Sequence, residues 1–293
     1  MSVSPRSVPE DWVFELAERA RAVDGSPPFS DQAIVDYRTG ARSLVAIDEV
    51  AAALVTAPAP VTVPGMAERL GVREAELVVD PDARGRGVGT ALLEHILSPT
   101  PGRPTSATLI WAHGDHPGAR ALAASHGLVA VRELLHLSGP LDRAPRDVAE
   151  PSHIGTFVAG QDEAEWVALN SLIFAAHAEQ GSVTVADLDQ LESEPWFSAD
   201  DFLLLREGGI LIGYCWLKVE GDLGEIYVLG VHPSRHGQGL GGLLLEAGLA
   251  RLRERGIHLV HLYVEGDNEA ALRLYRSRGL EQDSIDIQYS SAR

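Results

Sequence analysis

The second half of the chain switches between two hydrophobic periods. Residues 162–177 carry Trp166, Leu169, Leu172 and Ile173 along one side at helical spacing. Val185–Leu191 predicts a second short helix, with Thr184 as its N-cap. Phe202–Leu205, Ile210–Val219 and Glu225–Val231 read as strands, divided by Glu207-Gly208-Gly209 and Gly221-Asp222 turns. A glycine-rich loop leads into a helix over Leu240–Arg253. A strand over His258–Val264, a helix over Glu269–Arg278 with Gly279 at its end, and a strand near Ile285–Tyr289 complete the half. Helices and strands alternate, so the predicted class is α/β with a mixed sheet.

The first half repeats the later part of this order, from Glu76–Val79 to Leu135, while its first 60 residues carry a weaker pattern. The repeat is visible in the residues themselves. VDPDARGRGVGTALL at 79–93 matches VHPSRHGQGLGGLLL at 231–245, and GDHPGARALAASHGL at 114–128 matches GDNEAALRLYRSRGL at 266–280. Both blocks keep one offset, 236 − 84 = 152 and 266 − 114 = 152. Two separate blocks at one spacing predict a duplicated domain. The Pro-, Asp- and Arg-rich stretch 138–152 lacks apolar periodicity and reads as a linker. The expected domains are 1–140 and 150–293.

Charge and cysteine content narrow the function. The chain of 293 residues carries 42 acidic and 24 basic residues, a net charge of −18. Nucleic acid and anionic membrane surfaces both need a basic face, so neither is expected as a partner. A small-molecule substrate fits better. Cys215 is the single cysteine, which forbids an internal disulfide and suits a reducing compartment. There is no apolar run near the roughly 20 residues that cross a bilayer and no leader pattern. A cytoplasmic monomer is the expectation.

The sharpest chemical signal is a strand, then Arg84-Gly85-Arg86-Gly87-Val88-Gly89, then a helix, repeated as His236-Gly237-Gln238-Gly239-Leu240-Gly241. Glycines let the main chain adopt positive φ, and the N–H groups of such a loop aim at an anion. On residues alone two readings stand: a pyrophosphate site and a tight turn without ligand. The spacing is not that of a dinucleotide fold, and no Gly-Lys-Ser/Thr follows as in a nucleotide-triphosphate loop.

The pattern resembles the GNAT acetyltransferase superfamily, whose signature Gln/Arg-x-x-Gly-x-Gly/Ala is matched by Arg84–Gly89 and, with His in first place, by His236–Gly241. Within it, HAEQGSVT, EPWF, GEIYVLGVHP and LYVEGDNEAALRLY are similar to the tandem-domain mycothiol synthase family. That resemblance implies acetyl transfer from acetyl-CoA to the cysteinyl amine of a cysteinyl-glucosaminyl-inositol pseudodisaccharide, without a metal. It implies an acetyl-CoA site formed by Leu229, Gly230, Val231, His236, Gly237, Gln238, Gly239, Leu240, Gly241 and Gly242, with Asn268, Glu269, Ala270, Ala271, Leu272 and Arg273. In the first copy it implies Leu77, Val78, Val79, Gly85, Arg86, Gly87, Val88, Gly89 and Thr90. Glu225 is implied as general base and Tyr275 as general acid, with Glu179, Lys218, Glu225, Tyr263 and Asp31 as acceptor ligands. Read without the resemblance, an acidic residue such as Glu225 at a strand start is more often a solvated end than a base, and Tyr275 is as readily a packed aromatic.

Subtracting 152 from the two catalytic positions gives Arg73 and Ala123. Neither can replace a base or an acid, so the first copy is expected to bind acetyl-CoA without turning it over. His113, Asp115 and His116 read as loop residues rather than metal ligands, and Cys215 as a buried strand residue. Two rival functions stay open: a related enzyme with another amine acceptor, such as an aminoglycoside, a polyamine or a protein N-terminus, and a non-enzymatic acyl-CoA sensor.

Overall fold

The computed structural model describes residues 3–6, 10–61, 70–98, 107–141, 153–175 and 180–291. The chain forms two compact units. The first comprises residues 1–135 with 265–267 and 284–293, and the second comprises 136–264 with 268–283. The last strand of each repeat therefore ends in the unit of the other, which a linear division of the sequence does not express.

The first repeat contains β1 (Val3–Arg6), α1 (Asp11–Asp24), α2 (Asp31–Thr39), β2 (Arg42–Ile47), β3 (Ala51–Thr56), β4 (Ala59–Val61) and β5 (Leu70–Val79). α3 (Val88–Leu97), β6 (Thr108–Ala112), α4 (Pro117–Ser125) and β7 (Val129–Pro140) follow. β7 takes up Ser138 and Pro140, so the expected linker begins in strand; its remainder, 142–152, lies outside the described residues. Helix ends follow local chemistry. Ser30 caps α2 by accepting from the Ala33 N–H, and α1 stops at Gly25, whose φ is +79°. The β2, β3 and β5 pairings are antiparallel, and β5–β6 is parallel. Residues 287–290 pair antiparallel with β6. One face of this sheet buries Leu44, Leu54 and Val78 under α1 and α2, and the other buries Ala53, Ala75 and Ile110 under α3.

The second repeat contains β8 (Ile154–Thr156), α5 (Glu163–Ile173), α6 (Val185–Glu192), β9 (Phe202–Glu207), β10 (Ile210–Glu220) and β11 (Leu223–Val231). α7 (Leu240–Glu254), β12 (Leu259–Glu265), α8 (Glu269–Arg276) and β13 (Glu281–Ser290) follow. Thr184 and Asp187 form a full capping box at α6. β10 is buried on both faces from Leu211 to Leu217, as a central strand must be. Trp166, Phe202, Tyr214 and Trp216 fill the core beneath α5, with Phe202 stacked on Trp216 at 4.4 Å between centroids.

One irregularity changes the comparison of the repeats. Trp216 pairs with Val228 but Leu217 pairs with Ile226, so Tyr227 is an extra, bulged residue in β11. In β5 the corresponding pairs, Leu54–Glu76 and Val55–Ala75, follow each other without a break. The strands thus match at an offset of 152 on the loop side of the bulge and 151 on the other side. Glu225 corresponds to Glu74, not to Arg73 as the gapless count expects (225 − 74 = 151). The parallel pairings agree: Glu225 lies beside His261 and Glu74 beside Leu109, and 261 − 109 = 152.

Candidate active site

In the second unit, β11 and β12 run side by side only from Leu223–Glu225 against Leu259–His261. Among the described residues no pairing between them continues past Glu225. The next residues of β11, through Leu229, Gly230 and Val231, therefore leave main-chain groups on that edge for another partner. Gly230 is required by packing: a Cβ there would sit 2.9 Å from Ile173 Cδ1 and 3.1 Å from Tyr214 Cζ.

The strand ends in the glycine loop. Gly237 and Gly239 have φ of +75° and +79°, and Gly85 and Gly87 have +71° and +80° in the first unit. All four sit in the left-handed region that side chains disfavour, so both loops turn their N–H groups in the same way. The residue before each loop braces it. His236 Nε2–H donates to the Val231 carbonyl at 2.9 Å, and Arg84 Nε–H donates to the Val79 carbonyl at 3.1 Å. His232 Nδ1 accepts from the Ser234 N–H and Asp80 from the Asp82 N–H, again at equivalent places. His for Arg at the head of the second signature therefore preserves a structural bond. At α8, Asn268 is occupied as N-cap to Ala271, and Glu269 pairs with Arg273 at 2.9 Å. Ala270, Ala271 and Leu272 form the next positions of this helix, and Gln238, Leu240, Gly241 and Gly242 form the loop tip and start of α7.

Glu225 is half-buried, with Lys218 directly across on β10 and His261 across on β12. Directly paired residues share a face, so all three look the same way. Lys218 Nζ binds Glu220 at 2.8 Å and lies 5.4 Å over the Trp196 ring. Burial opposes its charge, but Glu220 and then Glu225 hold its pKa above the usual value, so it is a cation. Trp196 and Tyr227 rings meet at 5.2 Å, and Tyr263 is 51% exposed with His136 at 4.8 Å. The result is a surface that brings together an acid, a cation and aromatic rings. Glu179 lies outside the described residues. Asp31 is the exposed first residue of α2 in the first unit.

Tyr275 is buried on α8, and burial raises its phenol pKa well above 10. Its electrostatic neighbour is Cys215, itself fully buried with its thiol pushed up to about 12. Both therefore stay protonated at neutral pH. A phenol held this way donates a proton and does not accept one.

The first unit has a cavity of about 600 Å3 beside its loop. Leu77, Val78, Val79, Gly85, Gly87, Gly89 and Thr90 line it, with Trp111 and His116; Arg86 and Val88 do not. The acceptor side is different. Arg42, 5% exposed, binds Glu76 at 3.1 Å, Asp36 at 3.3 Å and Glu74 at 3.5 Å. Gln288 Nε2 also donates to Glu74 at 3.3 Å. The counterpart of Glu225 is thus held by a guanidinium. His113 bonds Glu76 through Nε2 and Asp286 through Nδ1, so both ring nitrogens donate. It belongs to this buried network as well as to its loop. Arg73 is structural: its Nε–H donates to Thr108 Oγ1 at 2.9 Å, and the guanidinium also bonds the Ile96 carbonyl. Ala123 is buried in α4.

The sequence did not single out His261, His136, Asp283, Trp196 or Tyr227. Period-two alternation along β11 would have included Tyr227 with Glu225; His136, His261 and Asp283 come from β7, β12 and β13, and Trp196 from the turn after α6.

The acetyltransferase (GNAT) family matches the chain twice, at residues 14–128 and 166–280, again 152 apart (166 − 14). The chain belongs to the GNAT acetyltransferase family. It is 46% identical to a mycothiol acetyltransferase of Clavibacter michiganensis subsp. michiganensis, across 96% of this chain and 90% of that one. A mycothiol acetyltransferase of Sanguibacter keddieii is 44% identical, across 94% and 91%. These place the GNAT chain in the mycothiol acetyltransferase branch. A solved GCN5-related N-acetyltransferase from Sphaerobacter thermophilus has the same fold, with a TM-score of 0.72 at 21% identity over 99% of this chain and 95% of that one. The chain is an acetyl-CoA-dependent N-acetyltransferase built from two GNAT domains.

Proposed function

We propose that the second unit transfers the acetyl group of acetyl-CoA to the cysteinyl amine of a cysteinyl-glucosaminyl-inositol, the acetylation step of mycothiol synthesis. The observation that carries the site assignment is the row Lys218–Glu225–His261 at the point where β11 and β12 part. The thioester lies along the unpaired edge of β11, and the N–H near Leu229 or Gly230 holds its oxygen as charge develops. Glu225 takes a proton from the ammonium of the acceptor, directly or through water, and the free amine attacks the carbonyl carbon. The C–S bond breaks, Tyr275 gives its proton to the departing sulfur, and the second proton lost by the attacking nitrogen restores the Tyr275 phenol. Lys218, Tyr263 and Glu179 are proposed to hold the pseudodisaccharide.

The first unit, on this reading, binds acetyl-CoA in its 600 Å3 cavity without turnover, because Arg42 holds Glu74 and Ala123 replaces the phenol. The match to mycothiol acetyltransferases across nearly the whole chain favours this acceptor over other amines and over a sensor role. CoA release measured with the cysteinyl pseudodisaccharide, with an aminoglycoside and with no acceptor tests it. Release only with the first is expected. Faster release with the aminoglycoside would replace the acceptor, and no release with any acceptor would favour the sensor.

A further inference from the structure

Acetyl transfer to an ammonium frees one proton per turnover. Nitrogen loses two protons, sulfur gains one, and the other must reach water. Glu225 is restored only if its proton leaves. The structure offers a route beside it. His261, across from Glu225 on a strand about 4.8 Å away, bonds through Nδ1 to His136 Nε2 at 3.0 Å. His136 Nδ1 in turn bonds the Asp283 carboxylate, which also accepts from Ser138 Oγ at 2.7 Å. Asp283 is 46% exposed, whereas His136 is 20% exposed. The row runs from the acceptor face toward solvent.

We infer that His261, His136 and Asp283 form a proton relay that returns Glu225 to its basic form after each transfer. This rests on Glu225 being the base. The tautomers follow from the bonds. The Asp283 carboxylate can only accept, so His136 Nδ1 carries a proton. When His136 is neutral, its Nε2 accepts from His261 Nδ1–H. That leaves a lone pair on His261 Nε2, which no hydrogen bond engages among the described residues. The proton on Glu225 passes to His261 Nε2 while His261 Nδ1–H passes to His136 Nε2. No charge then rests on His261, and the proton is carried by His136 beside the Asp283 carboxylate. His136 gives its Nδ1 proton through the Asp283 carboxylate to water, and each ring then regains its first tautomer by exchange with water, losing the Nε2 proton and taking one at Nδ1.

The surroundings fit this division. Burial pushes His261 down to about 4, so it is neutral at pH 7. The charged groups that face it are Lys218 and Glu220 from β10, Glu225 from β11, His136 from β7 and Asp283 from β13. A permanently cationic His261 would instead pair with Glu225 and weaken it as a base.

The test uses the full-length enzyme with acetyl-CoA and the cysteinyl pseudodisaccharide. His261→Ala is expected to lower kcat at least tenfold at pH 7, leave the KM for acetyl-CoA within twofold, and recover with added imidazole in proportion to its free-base concentration. Asp283→Asn is expected to lower kcat by a similar factor. His261→Gln, with unfolding temperature measured alongside, separates loss of the relay from loss of fold. His261→Ala within twofold of the parent, or a loss that imidazole does not rescue in a folded variant, overturns the relay. Glu225→Gln is the control: if it retains activity the base assignment fails, whereas an inactive Glu225→Gln with a silent His261→Ala removes only the relay.

Discussion

His236 and Arg84 stand 152 residues apart and make the same bond. Each side chain reaches back to the carbonyl of the last residue of the preceding strand, Val231 or Val79. A net contribution of about 0.5–1.5 kcal/mol is usual for such a bond. His236→Ala should therefore raise the KM for acetyl-CoA roughly two- to tenfold with little change in kcat. Steady-state kinetics at saturating acceptor measures it. An unchanged KM would mean that the loop holds its shape without the brace.

Tyr275→Phe tests the acid. The ring and its packing stay, and only the phenol is lost. General acid catalysis is typically worth about 10²–10⁴-fold, so kcat should fall at least tenfold while both KM values hold. Because burial holds the Tyr275 phenol above its usual range, its protonated form persists through pH 9. The parent profile should show no loss of activity from this group below about pH 10, near the ordinary tyrosine value.

The Arg42 network makes the stability of the first unit pH-dependent. Burial alone would lower the pKa of His113, but bonds to Asp286 and Glu76 overcome it and hold it at about 9 instead of 6.5. A raised folded-state value means that its stabilisation is complete below pH 6.5 and is lost as pH rises to 9. At 1.36 kcal/mol per unit the span is at most roughly 3 kcal/mol. Denaturant unfolding followed from pH 6 to pH 9.5 should show this decline, and His113→Gln should flatten it. Equal slopes in both proteins would refute the role of His113.

Gly248 faces β10 from inside α7, where a Cβ would lie 2.8 Å from Cys215 Sγ and 3.2 Å from Leu217 Cδ2. Gly248→Ala should thus destabilise the second unit by about 1–3 kcal/mol, as overpacking does, despite the better helix propensity of alanine. Chemical denaturation measures the change. A gain in stability would show that β10 can yield.

The duplication and its loops were legible because glycine at positive φ and helical apolar spacing leave marks in single residues. The fold class, the Thr184 cap and the order of elements from 185 onward followed from the same signals. The bulge at Tyr227 was not legible: both matching blocks, 231–245 and 266–280, lie beyond it at the offset of 152, and only strand pairing shows where the extra residue enters. That one residue moves the counterpart of Glu225 from Arg73 to Glu74. The expected inactivity of the first copy then rests on a different cause, a carboxylate held by Arg42, whose partners come from α2 and β5. Likewise His113 meets Glu76 and Asp286 across 37 and 173 residues of sequence (113 − 76 and 286 − 113). Contacts at such separations have no local pattern to betray them.

The pair Glu225 and Glu74 offers the most direct measurement of where acetyl transfer occurs. Glu225→Gln and Glu74→Gln are isosteric changes at corresponding places in the two units. With acetyl-CoA and the cysteinyl pseudodisaccharide at pH 7, Glu225→Gln should reduce kcat by about 10²-fold or more, and Glu74→Gln should leave it within about threefold, since a held carboxylate contributes no base. A large loss in Glu74→Gln with activity retained in Glu225→Gln would place the chemistry in the first unit and contradict the account.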